Sequence, residues 1–243
     1  MAQIFPKWTN ETPGLITFGS LVGLGAVIFA LYWWASPWNT DVGYAPKQPV
    51  AYSHKLHAGD LKMDCRYCHA FAERGPHAGV PPTQVCMNCH AQVKKDSPKL
   101  ELVRKSWNNG KGDESIPWVR IHKLPDFAYF DHSAHLGVGF GENRAAIGCE
   151  TCHGRIDTME VVAQNQPLSM AWCIDCHNDP APNLRPVEKI TQMGFRPDPL
   201  WHDKAQAISA TLTPPGALAN AMRTNADGTT QTFATAGCSG CHR

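Results

Sequence analysis

Residues 52–69 read YSHKLHAGDLKMDCRYCH, and the same arrangement returns at 130–153 as FDHSAHLG followed by CETCH. In both places an aromatic residue, a His-x-x-His pair and a glycine precede a Cys-x-x-Cys-His motif. That motif uses all ten cysteines of the chain: Cys65/Cys68/His69, Cys86/Cys89/His90, Cys149/Cys152/His153, Cys173/Cys176/His177 and Cys238/Cys241/His242. It is the attachment signature of covalent c-type haem. Two thiols add to the vinyl groups of one porphyrin, and the following histidine binds the iron from the proximal side. A zinc half-site or a redox dithiol needs no histidine at that position. A disulfide framework fails too, because two intervening residues make a tight, strained loop. The chain is therefore expected to hold five covalent haems c.

The motifs begin at 65, 86, 149, 173 and 238, so short and long gaps alternate. Pro81-Pro82-Thr83 stands before the second motif and Pro167-Leu168-Ser169 before the fourth. Two di-haem repeats followed by an appended fifth haem are expected, each repeat completing its core against the other. Gly and Pro fill 20 and 19 of 243 positions, and long amphipathic runs are scarce after residue 50. The expected fold is a mostly irregular and α-helical multihaem cytochrome with the haems as its core. The tail from 185 reads mostly as loop, with one helix near Pro215–Arg223.

Residues 14–35, GLITFGSLVGLGAVIFALYWWA, carry no charge over 22 positions. As a helix they span about 33 Å, the thickness of a bilayer core. A cleaved signal peptide has a shorter apolar region and a small-x-small exit, whereas Tyr32, Trp33, Trp34 and Trp38 form an aromatic interface belt. An uncleaved anchor is expected, with the N-terminus inside, because covalent haem attachment takes place outside the cytoplasmic membrane. Gly19 and Gly23 would let another membrane helix approach closely. The expected organisation is a cytoplasmic segment 1–13, a transmembrane helix 14–36, a linker 37–47, a four-haem domain 48–184 and an extension 185–243 with the fifth haem.

The formal charge of the protein is +1. Ten propionates and five ferric porphyrin cores move it to about −4. Neither value points to nucleic acid. Between Lys94 and Lys123 a local excess of cations, including Lys95, Lys99, Arg104 and Lys105, reads first as a solvated helix face and second as a surface that steers an acidic partner.

Sixth ligands separate a relay from a catalyst, since an iron with two protein ligands has no open position. Seven histidines remain beyond the proximal five. His54, His57, His132 and His135 are the leading distal candidates, His122 is the fifth, and His77 and His202 lie in polar loops. Met170, three residues before Cys173, is the leading thioether, with Met193 and Met222 behind it. With this supply no catalytic residue is expected.

The unit of His-x-x-His plus Cys-x-x-Cys-His resembles the class III multihaem cytochromes. The resemblance implies that His54 caps the haem on Cys65/Cys68 and His132 the haem on Cys149/Cys152, while His57 and His135 reach neighbouring haems. The whole layout is similar to the pentahaem cytochrome subunit of bacterial alternative complex III. The matching features are the single anchor, the five motifs, the run Ile121-His122-Lys123-Leu124-Pro125-Asp126 leading into Tyr129-Phe130-Asp131-His132, and Cys149-Glu150-Thr151-Cys152-His153-Gly154-Arg155. They cover the chain except the tail before Cys238. This resemblance implies partners: polytopic quinol-oxidising and iron-sulfur subunits on one side, and a monohaem cytochrome c, soluble carrier or oxidase as acceptor. Two alternatives stand beside it. One is a multihaem quinol dehydrogenase with its own quinone site; the other is a reductase of small oxyanions or nitrogen compounds, which needs an open iron.

Overall fold

The computed structural model describes residues 4–112, 114–138, 144–212, 222–224, 230–232 and 241–242. Among these the chain is helical and irregular, with two short antiparallel strand pairs. The longest element is α1, Thr12–Trp34, 23 residues with Pro13 in its first turn and no buried residue. Its apolar side chains run all the way round, with a mean hydropathy of 2.2, so it has no face that water would favour. It is long and apolar enough to cross a membrane. A short turn, α2 (Pro37–Thr40), follows it.

Beyond residue 50 the helices are short and most of them carry attachment cysteines: α3 (Cys65–Cys68), α4 (Thr83–His90), α7 (Cys149–His153) and α8 (Met170–Asn178). One helical turn is what the motif needs. It sets residues three and four apart on one face, so both thiols and the following imidazole turn toward the same side. The turns are started by side-chain caps. Asp64 accepts from Arg66 N at 2.8 Å, and Ser169 accepts from Trp172 N at 3.3 Å.

Equivalent parts of the two His-x-x-His segments make equivalent contacts. A π-helical turn, Lys55–Asp60, packs on a 3-10 turn, Ile156–Thr158, and Lys55 N donates to Met159 O at 2.9 Å. On the other side α6 (His132–Leu136) meets the loop after the first motif, with Ser133 N donating to Gly75 O at 3.3 Å. Each segment is thus clasped by the stretch that follows the other segment's first motif.

Two small apolar clusters hold the polypeptide. Val50, Val103 and Ile116 form one, where α4 packs on α5 (Glu101–Trp107). Ala145, Ile147, Leu184, Ala205 and Ile208 form the other. In it β1 (Ala146–Ile147) pairs antiparallel with β2 (Leu184–Arg185), and α9 (Pro199–Leu212) covers the pair. The tail expected to be mostly loop therefore contains a 14-residue helix. Its cause is legible afterwards: Trp201, Ala205, Ile208 and Leu212 recur at helical spacing and face the cluster. The expected boundary at 184 falls inside β2. β3 (Met222–Thr224) and β4 (Thr230–Thr232) form the second strand pair. The helix expected near Pro215–Arg223 lies largely outside the described residues, as does Cys238.

Among the described residues Ile208 is the largest side chain sealed from solvent. So small an apolar interior cannot offset the conformational entropy of ordering some two hundred residues. Something other than side chains must fill the centre.

Candidate haem-attachment site

The described cysteines are unpaired thiols, half-buried except for Cys89, which is exposed. Around them the histidines are oriented by backbone carbonyls. His69 Nδ1 donates to Gly79 O at 2.6 Å, His90 Nδ1 to Val93 O at 2.9 Å, and His242 Nδ1 to Phe127 O at 3.2 Å. Among the distal candidates, His57 Nδ1 donates to Ser53 O at 2.8 Å, His132 Nδ1 to Pro76 O at 2.7 Å and His135 Nδ1 to Asp131 O at 2.7 Å. A carbonyl only accepts, so each of these rings carries its proton on Nδ1. Nε2 is then the bare lone pair, the tautomer that binds a metal.

Ring pairs supply a second measure of fit. Two imidazoles on opposite sides of one iron, each nitrogen at about 2 Å and each ring centre about 1 Å further out, have centres a little over 6 Å apart. His57 and His90 stand 6.2 Å apart, His132 and His153 6.4 Å, and His135 and His177 6.0 Å. All three pairs join a distal candidate to a proximal histidine. The residues present fit a bis-histidine haem iron at each of these places.

His122 is brought to the same region in another way. Its ring meets His153 edge-on at 4.3 Å, too close for an iron between them, and its Nε2 is buried without a hydrogen-bond partner. His54 Nδ1 is buried and unpartnered as well. Met170, at the start of α8, is 67% exposed. His202 is exposed beside Asp203, His77 is exposed, and Met193 is half-buried. Met222 lies in β3.

Burial keeps the central imidazoles neutral, which is the ligating form. His153 is held down to about 3 by burial first and then by His122, His132, His69 and His54. His54 is lowered to about 4 by burial and then by His69 and His57. Burial likewise lowers His122 and His135.

Two residues that sequence reasoning passed over as flanks have a structural task. The Tyr52 ring stacks on His57 at 4.4 Å and meets His54 edge-on at 4.8 Å. Phe130 does the same with His135 at 4.5 Å and His132 at 4.9 Å. One aromatic residue thus braces both imidazoles of its pair, which explains the aromatic-x-His-x-x-His spacing. Gly59 is another: a side chain there would run into the carbonyl of Asp157.

No protein-family profile matches the chain. The chain is similar to the menaquinone reductase multihaem cytochrome c subunit of Nitratidesulfovibrio vulgaris strain Hildenborough, with 33% identity over 133 residues. The match covers 54% of this chain and 56% of that protein's length. Attachment motifs, metal-ready histidine tautomers and this similarity together define a class, the multihaem c-type cytochromes.

Proposed function

We propose that the chain is a membrane-anchored pentahaem c-type cytochrome that carries electrons between a quinone-reactive membrane partner and a redox protein outside the cytoplasmic membrane. The single observation that carries this reading is the set of three histidine pairs at iron-spanning separation, each with Nε2 left for the metal on the rings whose Nδ1 binds a carbonyl. When bound, each haem supplies one electron of capacity through its ferric and ferrous states. The chain's own residues hold the rest of the task. Cysteines Cys65, Cys68, Cys86, Cys89, Cys149, Cys152, Cys173, Cys176, Cys238 and Cys241 attach the porphyrins, and His69, His90, His153, His177 and His242 take the proximal positions. His57, His132 and His135 would hold haem together with His90, His153 and His177, and His54, by its place equivalent to His132, would do so with His69. Carbonyls of Ser53, Pro76 and Asp131 fix ring orientation, and Tyr52 and Phe130 keep the rings from turning. His122 and Met170 are the remaining ligand candidates, with His122 beside His153 and Met170 open to a neighbouring group.

With histidines on hand to hold four of the haems from both sides, the chain would relay electrons and not bind substrate at those irons. Helix α1 is the tether, with residues 1–13 in the cytoplasm and the haem-bearing part in the periplasm or outside. In the quinol-oxidising reading, of the alternative complex III type, electrons arrive from iron-sulfur and polytopic subunits and leave to a monohaem cytochrome, a soluble carrier or an oxidase. The name of the similar protein favours a second reading, in which electrons travel toward menaquinone.

Purification from native membranes in mild detergent, followed by optical spectroscopy and identification of co-migrating subunits, tests the proposal. Five haems per chain, all low-spin, are expected. Reduction by a menaquinol analogue before a periplasmic donor supports the quinol-oxidising direction, and the opposite order supports the second reading. A high-spin fraction equal to one haem that shifts on adding nitrite would replace the relay with a reductase.

A further inference from the structure

Spacing along the chain does not say which attachment sites are neighbours in space, but contacts between the motifs do. Tyr67, inside the first motif, accepts a hydrogen bond from Asn88 Nδ2, inside the second, at 3.0 Å. The same two positions of the third and fourth motifs are Thr151 and Asp175, and they line one cavity of about 290 Å³ together with Trp172 and Cys176. A threonine where the first motif has a tyrosine leaves that gap open. The first motif therefore adjoins the second, and the third adjoins the fourth.

The two halves meet at the first and third motifs. Thr191 Oγ1 donates to Asp64 Oδ2 at 2.9 Å, and Asp64 caps the turn that carries Cys65. The adjacent residue, Ile190, accepts from Cys149 N at 3.2 Å. One dipeptide thus holds both motif starts side by side. Axial ligands repeat the link: the loop after the first motif accepts from proximal His69 at Gly79 O and from distal His132 at Pro76 O.

The fifth motif docks on residues 127–129. Tyr129 N donates to Cys241 O at 2.7 Å, Ala128 bridges to His242, and the Phe127 and His242 rings stand 5.6 Å apart. The next residue, Phe130, stacks on His135, whose ring stands 6.0 Å from His177 of the fourth motif.

We infer that the attachment sites form one unbranched row whose order differs from the chain: Cys86/Cys89, Cys65/Cys68, Cys149/Cys152, Cys173/Cys176 and the site of Cys241 and His242. Ile190 and Thr191, bonded to Cys149 and to Asp64, tie the two halves together at their motif starts. Because a thioether sulfur sits at the porphyrin edge, adjoining motif starts bring two edges together there. The second motif, with its exposed Cys89, and the fifth are then the two ends, where partners exchange electrons. The inference rests on the five-haem reading, and the test separates the two.

The test uses the detergent-purified holoprotein, with its haem count measured by the pyridine haemochrome method and its Soret circular dichroism recorded. Two haems in edge contact give a bisignate couplet that needs both partners. Cys65→Ala with Cys68→Ala, and Cys149→Ala with Cys152→Ala, should each remove the same couplet, so that the two difference spectra share one bisignate component. Cys86→Ala with Cys89→Ala should leave that couplet in place. Thr191→Val, which keeps every attachment thiol, should reduce its amplitude without changing the haem count. Where a cysteine variant does not mature, iron positions in a cryo-EM map of the unaltered holoprotein decide the order directly. Fewer than five haems per chain sinks the five-haem reading. Five haems with single-signed difference spectra, or with irons in another order, overturns the row alone.

Discussion

Gly59→Ala probes the clasp between the two His-x-x-His segments. Gly59 is buried in the π-helical turn Lys55–Asp60, and an added Cβ would overlap the carbonyl oxygen of Asp157. The colliding atom is backbone, so no side chain can swing aside. The turn and the facing residues Ile156–Thr158 must part by on the order of 1 Å, an overpacking cost of about 1–3 kcal/mol. The hydrogen bond from Lys55 N to Met159 O spans the same seam, and stretching it removes about 1 kcal/mol more. Opposing this, alanine restricts the unfolded chain and returns about 0.4–1 kcal/mol. The expected net loss is about 2 kcal/mol, or roughly thirtyfold in the ratio of folded to unfolded protein. Gly75→Ala is the matched control, because nothing lies within 4 Å of a Cβ there. Guanidinium unfolding of the holoprotein, followed by far-ultraviolet and Soret signals together, compares the two variants. Equal midpoints for Gly59→Ala and Gly75→Ala would refute the clasp.

His57→Ala should open one iron: the reduced holoprotein then binds one carbon monoxide per chain, and an unchanged low-spin spectrum would disprove the pairing with His90. Replacing Tyr52 or Phe130 by leucine removes the ring that braces a histidine pair, costing about 1 kcal/mol and shifting the low-spin EPR signals of the haems that pair ligates; unchanged signals would deny the bracing. Asp64 is lowered to about 2 from 3.8, by its hydrogen bond with Arg66 above all. A depressed carboxylate stabilises the folded state above the unfolded value and loses that contribution as pH falls from about 4 to about 2. With the side chain 43% exposed, solvent screening holds the electrostatic part below about 1 kcal/mol. Asp64→Ala should flatten the pH dependence of the urea midpoint in that window and cost about 1 kcal/mol at neutral pH through the lost cap. A chain produced without haem attachment should show no cooperative unfolding transition, since its apolar clusters are too small to hold a fold, and a sharp far-ultraviolet transition would contradict this.

Much of the candidate site was legible before any coordinates. Cys-x-x-Cys-His names the attachment chemistry in five residues, and the His-x-x-His pairs hold the rings that the structure sets 6.2, 6.4 and 6.0 Å from those of His90, His153 and His177. The apolar helix was legible to within two residues, because an uncharged stretch of that length has only one kind of environment that suits it. Three features escaped. The helix Pro199–Leu212 hid behind a Pro-rich, Thr-rich tail whose apolar residues look sparse until their spacing is counted. Tyr52 and Phe130 looked like flanks, since stacking depends on where a ring lies and not on its order in the chain. The neighbour of His122 escaped as well: its ring stands edge-on to His153 at 4.3 Å, a distance set by folding.

The sequence by itself determined what chemistry is on hand: the attachment motifs of a multihaem c-type cytochrome, the imidazole rings around them, and a segment apolar enough for a bilayer. Those properties are local, carried by residues three or four positions apart. Tertiary structure alone decided which sites are neighbours. Thr191 and Asp64, 127 residues apart, are joined by one hydrogen bond, and with Ile190 they bring Cys65 beside Cys149. No local propensity encodes that contact. It exists because two segments far apart in the chain pack against one another.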